Sequence, residues 1–460
     1  MTTDFVFTEH SADELKQLDK QFVWHPFTQM SDWIAEEPLI VAAGERNHLI
    51  DIHGRRYLDG VSSLWVNIHG HRRAEIDQAI TEQLGRIAHS TALGLSSPPS
   101  IELARRLAEI SPMGLEKVFY SDSGSTAVEI SMKMAFQYWQ QCAEPQPKKT
   151  RFLSFANGYH GDTLGAVSVG GIDLFHSIYG PLLIQNIKVD SPYCYRCPLG
   201  KEYPACEMVC LGQVEEVLER HHEELVAVVI EPLIQAAGGM LVFPPGYTRR
   251  VRDLATKFNV LFIADEVATG FGHTGTFFAC EQENIEPDFM TVAKGITGGY
   301  LPLAATLTTQ EVFSAFCGKY EEQKAFYHGH TYTGNALACA AGLASLGIFE
   351  TDDVLRKLQK RISTLNAGLH EFENLNHVGD IRQLGMMVGL ELVKNTDDKE
   401  PFPFENKTAI KVTHEARCRG LVIRPLGDVL ILMPPLSITD AELEDILSIT
   451  FDSIKAVTEK

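Results

Sequence analysis

Between residues 226 and 293 the chain alternates short apolar runs with stretches of helical periodicity, and few folds accept that order. Val226 to Glu231 reads as a strand, Tyr247 to Phe258 as a helix, and Val260 to Ala264 and Phe289 to Ala293 as two further strands. Uninterrupted apolar runs of this length are what strands buried on both faces look like. Strands separated by helices pair in parallel through right-handed crossovers, so the expected class is α/β, a parallel sheet wrapped by helices. Lys117 to Tyr120, Arg151 to Phe155 and Ala304 to Thr308 extend the strand set, and Ala127 to Gln141 and Gly212 to His222 the helices.

The ends of these runs carry the chemistry. Val260 to Ala264 stops abruptly in Asp265-Glu266, and an acid there lies at the carboxyl edge of the sheet, where α/β proteins place ligands. Phe289 to Ala293 delivers Lys294 into Gly295, Gly298 and Gly299. Desolvation at such a place lowers a lysine's proton affinity and makes its amine a usable nucleophile. A lysine that can hold an aldehyde and an aspartate that can keep a pyridine nitrogen protonated suggest pyridoxal phosphate. An ordinary ion pair at a strand end would show the same two residues.

Three turns add to that picture. Ser121 to Thr126 follows a strand and opens a helix, and free N–H groups at a helix start form an anion site. There Gly124 allows close backbone approach and the Ser125 hydroxyl can donate to a phosphate, although a plain serine cap accounts for the pattern too. In Asn157 to Asp162 an aromatic flanked by glycine, Tyr159, can lie flat on a planar ligand or simply complete a turn. Tyr327 to Gly334, with Gly329, His330 and Thr331, opens a small-residue helix over Asn335 to Phe349 and is a second candidate phosphate cap. Trp65 fits either core or site. Arg424, between Ile423 and Pro425, can fork a carboxylate or serve a structural ion pair.

The flanks read differently. Val23 to Thr28 is too aromatic for a solvated linker and is expected to pack on its own core or on a partner subunit. Leu39 to Ala42, Leu49 to Ile52 and Tyr57-Leu58 suggest a small antiparallel sheet. A helix is expected near Glu75 to Arg86. From Asp352 onward an amphipathic helix, strands near Met386 to Leu392, at Val422-Ile423 and at Val429 to Leu432, and a final helix suggest a smaller α+β domain. Domain boundaries are expected at 75/76 and 350/351. Cys194, Cys197, Cys206 and Cys210 have the look of a four-thiolate zinc site. Their closing spacing is irregular and no histidine falls among them, so a loop insertion with reduced or paired thiols is preferred and no metal is expected. The net charge of −20 argues against nucleic acid and anionic membrane as partners. Nine scattered cysteines, a polar acidic start and no membrane-length apolar run make a cytoplasmic protein the expectation.

Taken in order, Gly124-Ser125, Tyr159, Asp265, Lys294 and Thr331 resemble class III aminotransferases of fold type I, and the stretch DEVATGFGHTG…PDFMTVAKGITGGYLPL resembles that family's signature. The likeness runs from about Trp24 to Pro435. It implies pyridoxal phosphate as cofactor, a large domain with a seven-stranded, mostly parallel sheet, a small α+β domain built from both termini, and a homodimer. The implied roles are Lys294 as catalytic residue, and Gly124, Ser125, Tyr159, Asp265, His330 and Thr331 as cofactor contacts, with Thr331 reaching the neighbouring subunit's phosphate. Phe27, Leu64, Trp65, Tyr159, Gly329 and Arg424 are implied at the substrate. Within the family the segments are most similar to the branch that aminates 8-amino-7-oxononanoate in biotin synthesis, whose carboxylate Arg424 would receive. Another activity of the family, on ω-amino acids or diamines, shares every cofactor residue. Phe27 and Ile431 stand where that branch usually has tyrosine, Leu64 where it has tryptophan and His273 where it has arginine. Those departures leave S-adenosylmethionine and L-lysine both open as amino donor.

Overall fold

The computed structural model describes residues 10–459, so the first part of the expected N-terminal lead lies outside the described residues. Seven strands form the central sheet: β1 (Leu115–Ser121), β2 (Arg151–Phe155), β3 (Ile187–Val189), β4 (Leu225–Ile230), β5 (Leu261–Asp265), β6 (Phe289–Val292) and β7 (Ala304–Thr309). They lie in the order β1-β7-β6-β5-β4-β2-β3. Every pairing is parallel except those of β7, which runs against both β6 and β1. Registers Ile230↔Ala264 and Asp265↔Thr291 bring the carboxyl ends of β4, β5 and β6 level. Because β7 is reversed, its first residues, not its last, share that edge.

Both faces of the sheet are covered, so the central strands β4 and β6 are buried at every residue and apolar at all but Thr291. Helix α1 (Gly124–Gln141) lays Val128, Ile130, Ala135 and Trp139 on one face, in one core with Val226, Val229, Ile263 and Phe289. The helix Tyr247–Lys257 covers the other through Val251 and Ala255, beside Val228, Phe262 and Ala264. Burying each large aliphatic side chain contributes roughly 1.5–3 kcal/mol. Lys149 is buried too, and its ammonium donates to the carbonyls of His222, Leu225 and Asn259 at 2.7, 3.0 and 2.9 Å.

Two four-stranded sheets come from the flanks. Val41–Glu45, His48–Asp51 and Arg56–Asp59 form the antiparallel sheet expected from the sequence, and Leu421–Val422 adds a parallel fourth strand to it. Val378–Leu384, Met387–Leu392, Val429–Leu432 and Arg424–Leu426 make the other, wholly antiparallel. The helix Pro98–Ile110, capped by Ser97, has no counterpart in the sequence reading. In the cysteine loop Tyr193 and Arg196 turn to Glu391, which Arg382 also reaches at 2.6 Å. The four cysteines of that loop border a cavity of about 20 Å³ with no disulfide among them. Among the described residues no group of three or more metal-binding side chains is placed to hold an ion, and no helix is long and apolar enough to cross a membrane.

Candidate active site

The ends of β1, β2, β4, β5 and β6, with the start of β7, surround one cavity of about 400 Å³. Asp265 closes β5 and is 3% exposed. Its Oδ1 accepts from the Val267 N–H and the Thr291 hydroxyl, each at 3.1 Å, and its Oδ2 lies 2.6 Å from His160 Nδ1. Burial pulls the proton affinity of His160 down, but the hydrogen bond and charge of Asp265 outweigh it and leave it raised. Glu231, just past β4, accepts from the N–H groups of Tyr159 and Ala236, both at 3.0 Å, and burial pushes its carboxyl up to about 7.

Lys294 follows β6 in a left-handed conformation, φ 47°. Burial lowers its proton affinity, and the charges of Asp265 and Glu231 offset part of the effect. Its Nζ lies 5.0 Å from the centre of the Trp65 ring. Trp65 ends a run of four consecutive left-handed residues, Ser62, Ser63, Leu64 and Trp65, with φ of 49°, 47°, 74° and 68°. None is glycine, so the run stores on the order of 1 kcal/mol or more per residue. The buried Trp65 Nε1–H has no acceptor among the described residues.

The helix start beneath β1 carries a serine cap, as the sequence allowed: the Ser123 hydroxyl accepts from the Thr126 N–H at 3.4 Å, and Ser125 is left out of the cap. The N–H groups of Gly124 and Ser125 have no partner within the helix and stand at the cavity wall. A side chain on Gly124 would meet Val267 Cγ1 at 2.6 Å, so glycine is required there by packing as well. Tyr159 donates its hydroxyl to Asp162 at 2.7 Å, and its ring lies nearly parallel to His176, the planes 13° apart.

Of the residues singled out in the sequence, Trp65, Gly124, Ser125, Tyr159, Asp265 and Lys294 line this cavity. Phe27, Leu64, Gly329, His330, Thr331 and Arg424 do not. Phe27 and Leu64 are 55% and 49% exposed, Phe27 lying edge-on to Phe175. The cap expected before Asn335 is taken internally, since the Asn335 side chain accepts from the Ala338 N–H at 3.0 Å. Gly329 and Thr331 are exposed, and His330 stands 2.9 Å from Asp122, itself on the cavity wall. The guanidinium of Arg424 is half-buried and, among the described residues, has neither an acid nor a hydrogen-bond acceptor. His273 and Ile431 are buried, His273 held neutral by burial and by the charge of Lys294, which lower it to about 3. His160 and Glu231 were not singled out, although an acid ending an apolar strand had already marked Asp265 and marks Glu231 equally.

Residues 30–454 match the class-III aminotransferase family. A relative from Nitratidesulfovibrio vulgaris, named adenosylmethionine-8-amino-7-oxononanoate aminotransferase, is 56% identical over 97% of this chain and 82% of its own length. One of the same name from Geobacter sulfurreducens is 52% identical over 98% of this chain and 99% of its own. The crystal structure of the enzyme so named from Methanocaldococcus jannaschii superposes with a TM-score of 0.92 at 44% identity, covering 97% of this chain and all of that one. A thermostable (S)-enantioselective omega-transaminase from Thermomicrobium roseum gives 0.93 at 34%, covering 98% and 100%.

Proposed function

The chain belongs to the class-III aminotransferases, and from that premise we propose that it transfers an amino group to 8-amino-7-oxononanoate, forming 7,8-diaminononanoate for biotin synthesis. Pyridoxal phosphate, the cofactor of the family, supplies an aldehyde to carry the amino group and a ring to take up electrons. The residues present fit it. Lys294 has a lowered proton affinity and would hold the aldehyde, and its amine would move the substrate's α-proton. Asp265, buried and fixed by Val267, Thr291 and His160, would keep a proton at the ring nitrogen. Gly124 and Ser125, whose N–H groups have no partner among the described residues, would receive the phosphate, and Tyr159 would bound the ring. The observation that carries the reading is a buried acid and a depressed lysine across one cavity; outside its lining, within the charge field of Tyr159, the cation Arg424 has no acid beside it among the described residues. That cation suits the carboxylate of 8-amino-7-oxononanoate.

S-adenosylmethionine is the donor in the relatives' names. L-lysine competes because Phe27, Leu64 and Ile431 offer no hydroxyl or indole to a purine, and Ile431 is buried in one apolar cluster with Trp65. We further propose a homodimer in which Gly329, His330 and Thr331 complete the neighbouring subunit's site. Trp24 at 87% and Leu93 at 90% exposure, with exposed Tyr327 and Tyr332, supply apolar surface for that contact. The division at 75/76 and 350/351 is supported by the sheets, since all seven strands of the central one fall between those limits. A cytoplasmic location agrees with the odd cysteine count and acidic charge.

The test is chemical. Borohydride reduction of the protein incubated with pyridoxal phosphate should fix the label on Lys294, and label on another lysine would overturn the reading. Rapid mixing of the loaded enzyme with each donor, followed by absorbance, then decides between S-adenosylmethionine and L-lysine.

A further inference from the structure

The left-handed run from Ser62 to Trp65 is held by groups that the proposed reaction does not use. Asp59, fully buried at the end of its strand, accepts from the Ser63 N–H at 2.9 Å and the Ser63 hydroxyl at 2.7 Å. His71 Nε2 lies 3.1 Å from the same carboxylate. The Ser62 hydroxyl donates to the Met433 carbonyl at 2.7 Å, and the Met433 N–H returns a bond to Gly60 at 2.8 Å. On the other side a side chain at Gly299, in the turn after Lys294, would stand 3.0 Å from the Val66 carbonyl carbon. The turn is therefore clamped between the C-terminal sheet and the lysine loop.

Left-handed backbone at four consecutive residues with side chains persists only where the surroundings over-determine it. What the run achieves is the placement of one ring. Trp65 emerges 5.0 Å from Lys294 Nζ, packed among Met387, Val429, Ile431 and Met433 of the C-terminal part. A right-handed or extended course would take the indole elsewhere, because the direction of a side chain follows its backbone.

We propose that Asp59 is a positioning residue: its carboxylate locks the left-handed turn that sets Trp65 over Lys294, and so tunes the amine on which the reaction depends. Ser62 assists by tying the same turn to Met433. A ring face near an ammonium stabilises the charged form. Loosening the turn therefore changes the proton affinity of the lysine as well as the shape of the cavity.

The inference rests on the reading that Lys294 carries the cofactor, and borohydride labelling of the wild-type protein tests that reading separately. On holoenzyme, Asp59→Ala should keep its cofactor. It should move the pH midpoint of the lysine-linked visible band by about half a unit or more and slow the donor half-reaction about tenfold. Ser63→Gly added to Asp59→Ala should restore the rate to within about threefold and the midpoint towards wild type, because glycine enters the left-handed region without help. Ser62→Ala should give a smaller shift of the same sign, and it serves if Asp59→Ala fails to fold. Correct labelling of Lys294 with an unmoved midpoint in both Asp59→Ala and Ser62→Ala would overturn the inference, whatever happened to the melting temperature. So would a midpoint shift that Ser63→Gly leaves uncorrected.

Discussion

The floor of the cavity and its rim are built on opposite plans. On the floor both buried acids are answered from within the chain: Asp265 by Val267, Thr291 and His160, and Glu231 by two backbone N–H groups. On the rim, outward of the residues that line the cavity, Arg424 has no partner among the described residues, and Phe27, Leu64, Gly329 and Thr331 are exposed. On the proposed reading, a sheet edge thus supplies the acid and the lysine that any amino-group transfer can share. Choice of substrate is left to groups that await a ligand and, on the present proposal, a second subunit. The first is fixed by hydrogen bonds at strand ends of the central sheet. Of the second, Phe27, Gly329 and Thr331 lie on loops, whose sequence can change without disturbing that sheet, and Arg424 on a strand of the C-terminal one.

Asp265→Asn attacks the floor most directly. It should leave the fold and cofactor content intact while costing about 3 kcal/mol or more of transition-state stabilisation, a fall in turnover of roughly a hundredfold or more. Removing the charge should also lower the proton affinity of His160, since burial alone pulls it down. Near-normal turnover in a folded, loaded variant would show that the floor is not the chemical half.

Arg424→Ala tests the rim. It should weaken 8-amino-7-oxononanoate by roughly 2–5 kcal/mol and leave a half-reaction with an uncharged amine almost unchanged. Equal losses in both half-reactions, measured by single-turnover absorbance, would make Arg424 structural and erase the contrast.

A third test concerns the buried acid next to the floor. Glu266 is fully buried, accepts from Thr269 and from the Cys280 N–H at 2.8 Å, and is pushed up to about 7 by burial. An acid with a raised folded value contributes stability that is fully present below its unfolded value and is lost as the pH rises through the folded one. Unfolding titrations of the cofactor-free protein should show stability falling between about pH 4.5 and 7, by on the order of 3 kcal/mol from this group alone. Glu266→Gln should flatten that slope, and an unchanged slope would assign it to other groups.

The smallest effect belongs to the donor wall. Phe27→Tyr supplies a hydroxyl and should shift preference towards S-adenosylmethionine by about 0.5–1.5 kcal/mol if that wall meets the purine. No change in the ratio of the two donor rates would remove Phe27 from the specificity set.

Much of the floor was legible in the sequence, because an apolar strand ending in an acid or a lysine is a local pattern. Val260 to Asp265 and Phe289 to Lys294 carry it openly, and both residues stand at the cavity. Glu231 carries the same pattern, but its meaning depends on β4 lying beside β5, which is a fact of sheet order. The left-handed turn had no local sign. Left-handed backbone is written in sequence as glycine or asparagine, and Ser62-Ser63-Leu64-Trp65 contains neither, since Asp59 and Met433 impose it from elsewhere. The helix Pro98–Ile110 does carry a local sign, its serine-proline start. The rim was legible only as composition: Arg424 and Phe27 could be named, but whether either meets a ligand is a matter of assembly.

The reversed strand and the borrowed one set a timetable for biosynthesis. β1 is an edge strand whose one neighbour is β7, and Tyr120 pairs with Ala305. Leu58 and Asp59 likewise pair with Leu421 and Val422. On a ribosome adding about 5–20 residues per second, each early strand emerges many seconds before its partner exists. Its unpaired edge and apolar face are meanwhile open to other nascent chains. Expression at low temperature or with abundant holdase chaperones is therefore expected to raise soluble yield, and truncation before Leu421 to forfeit it.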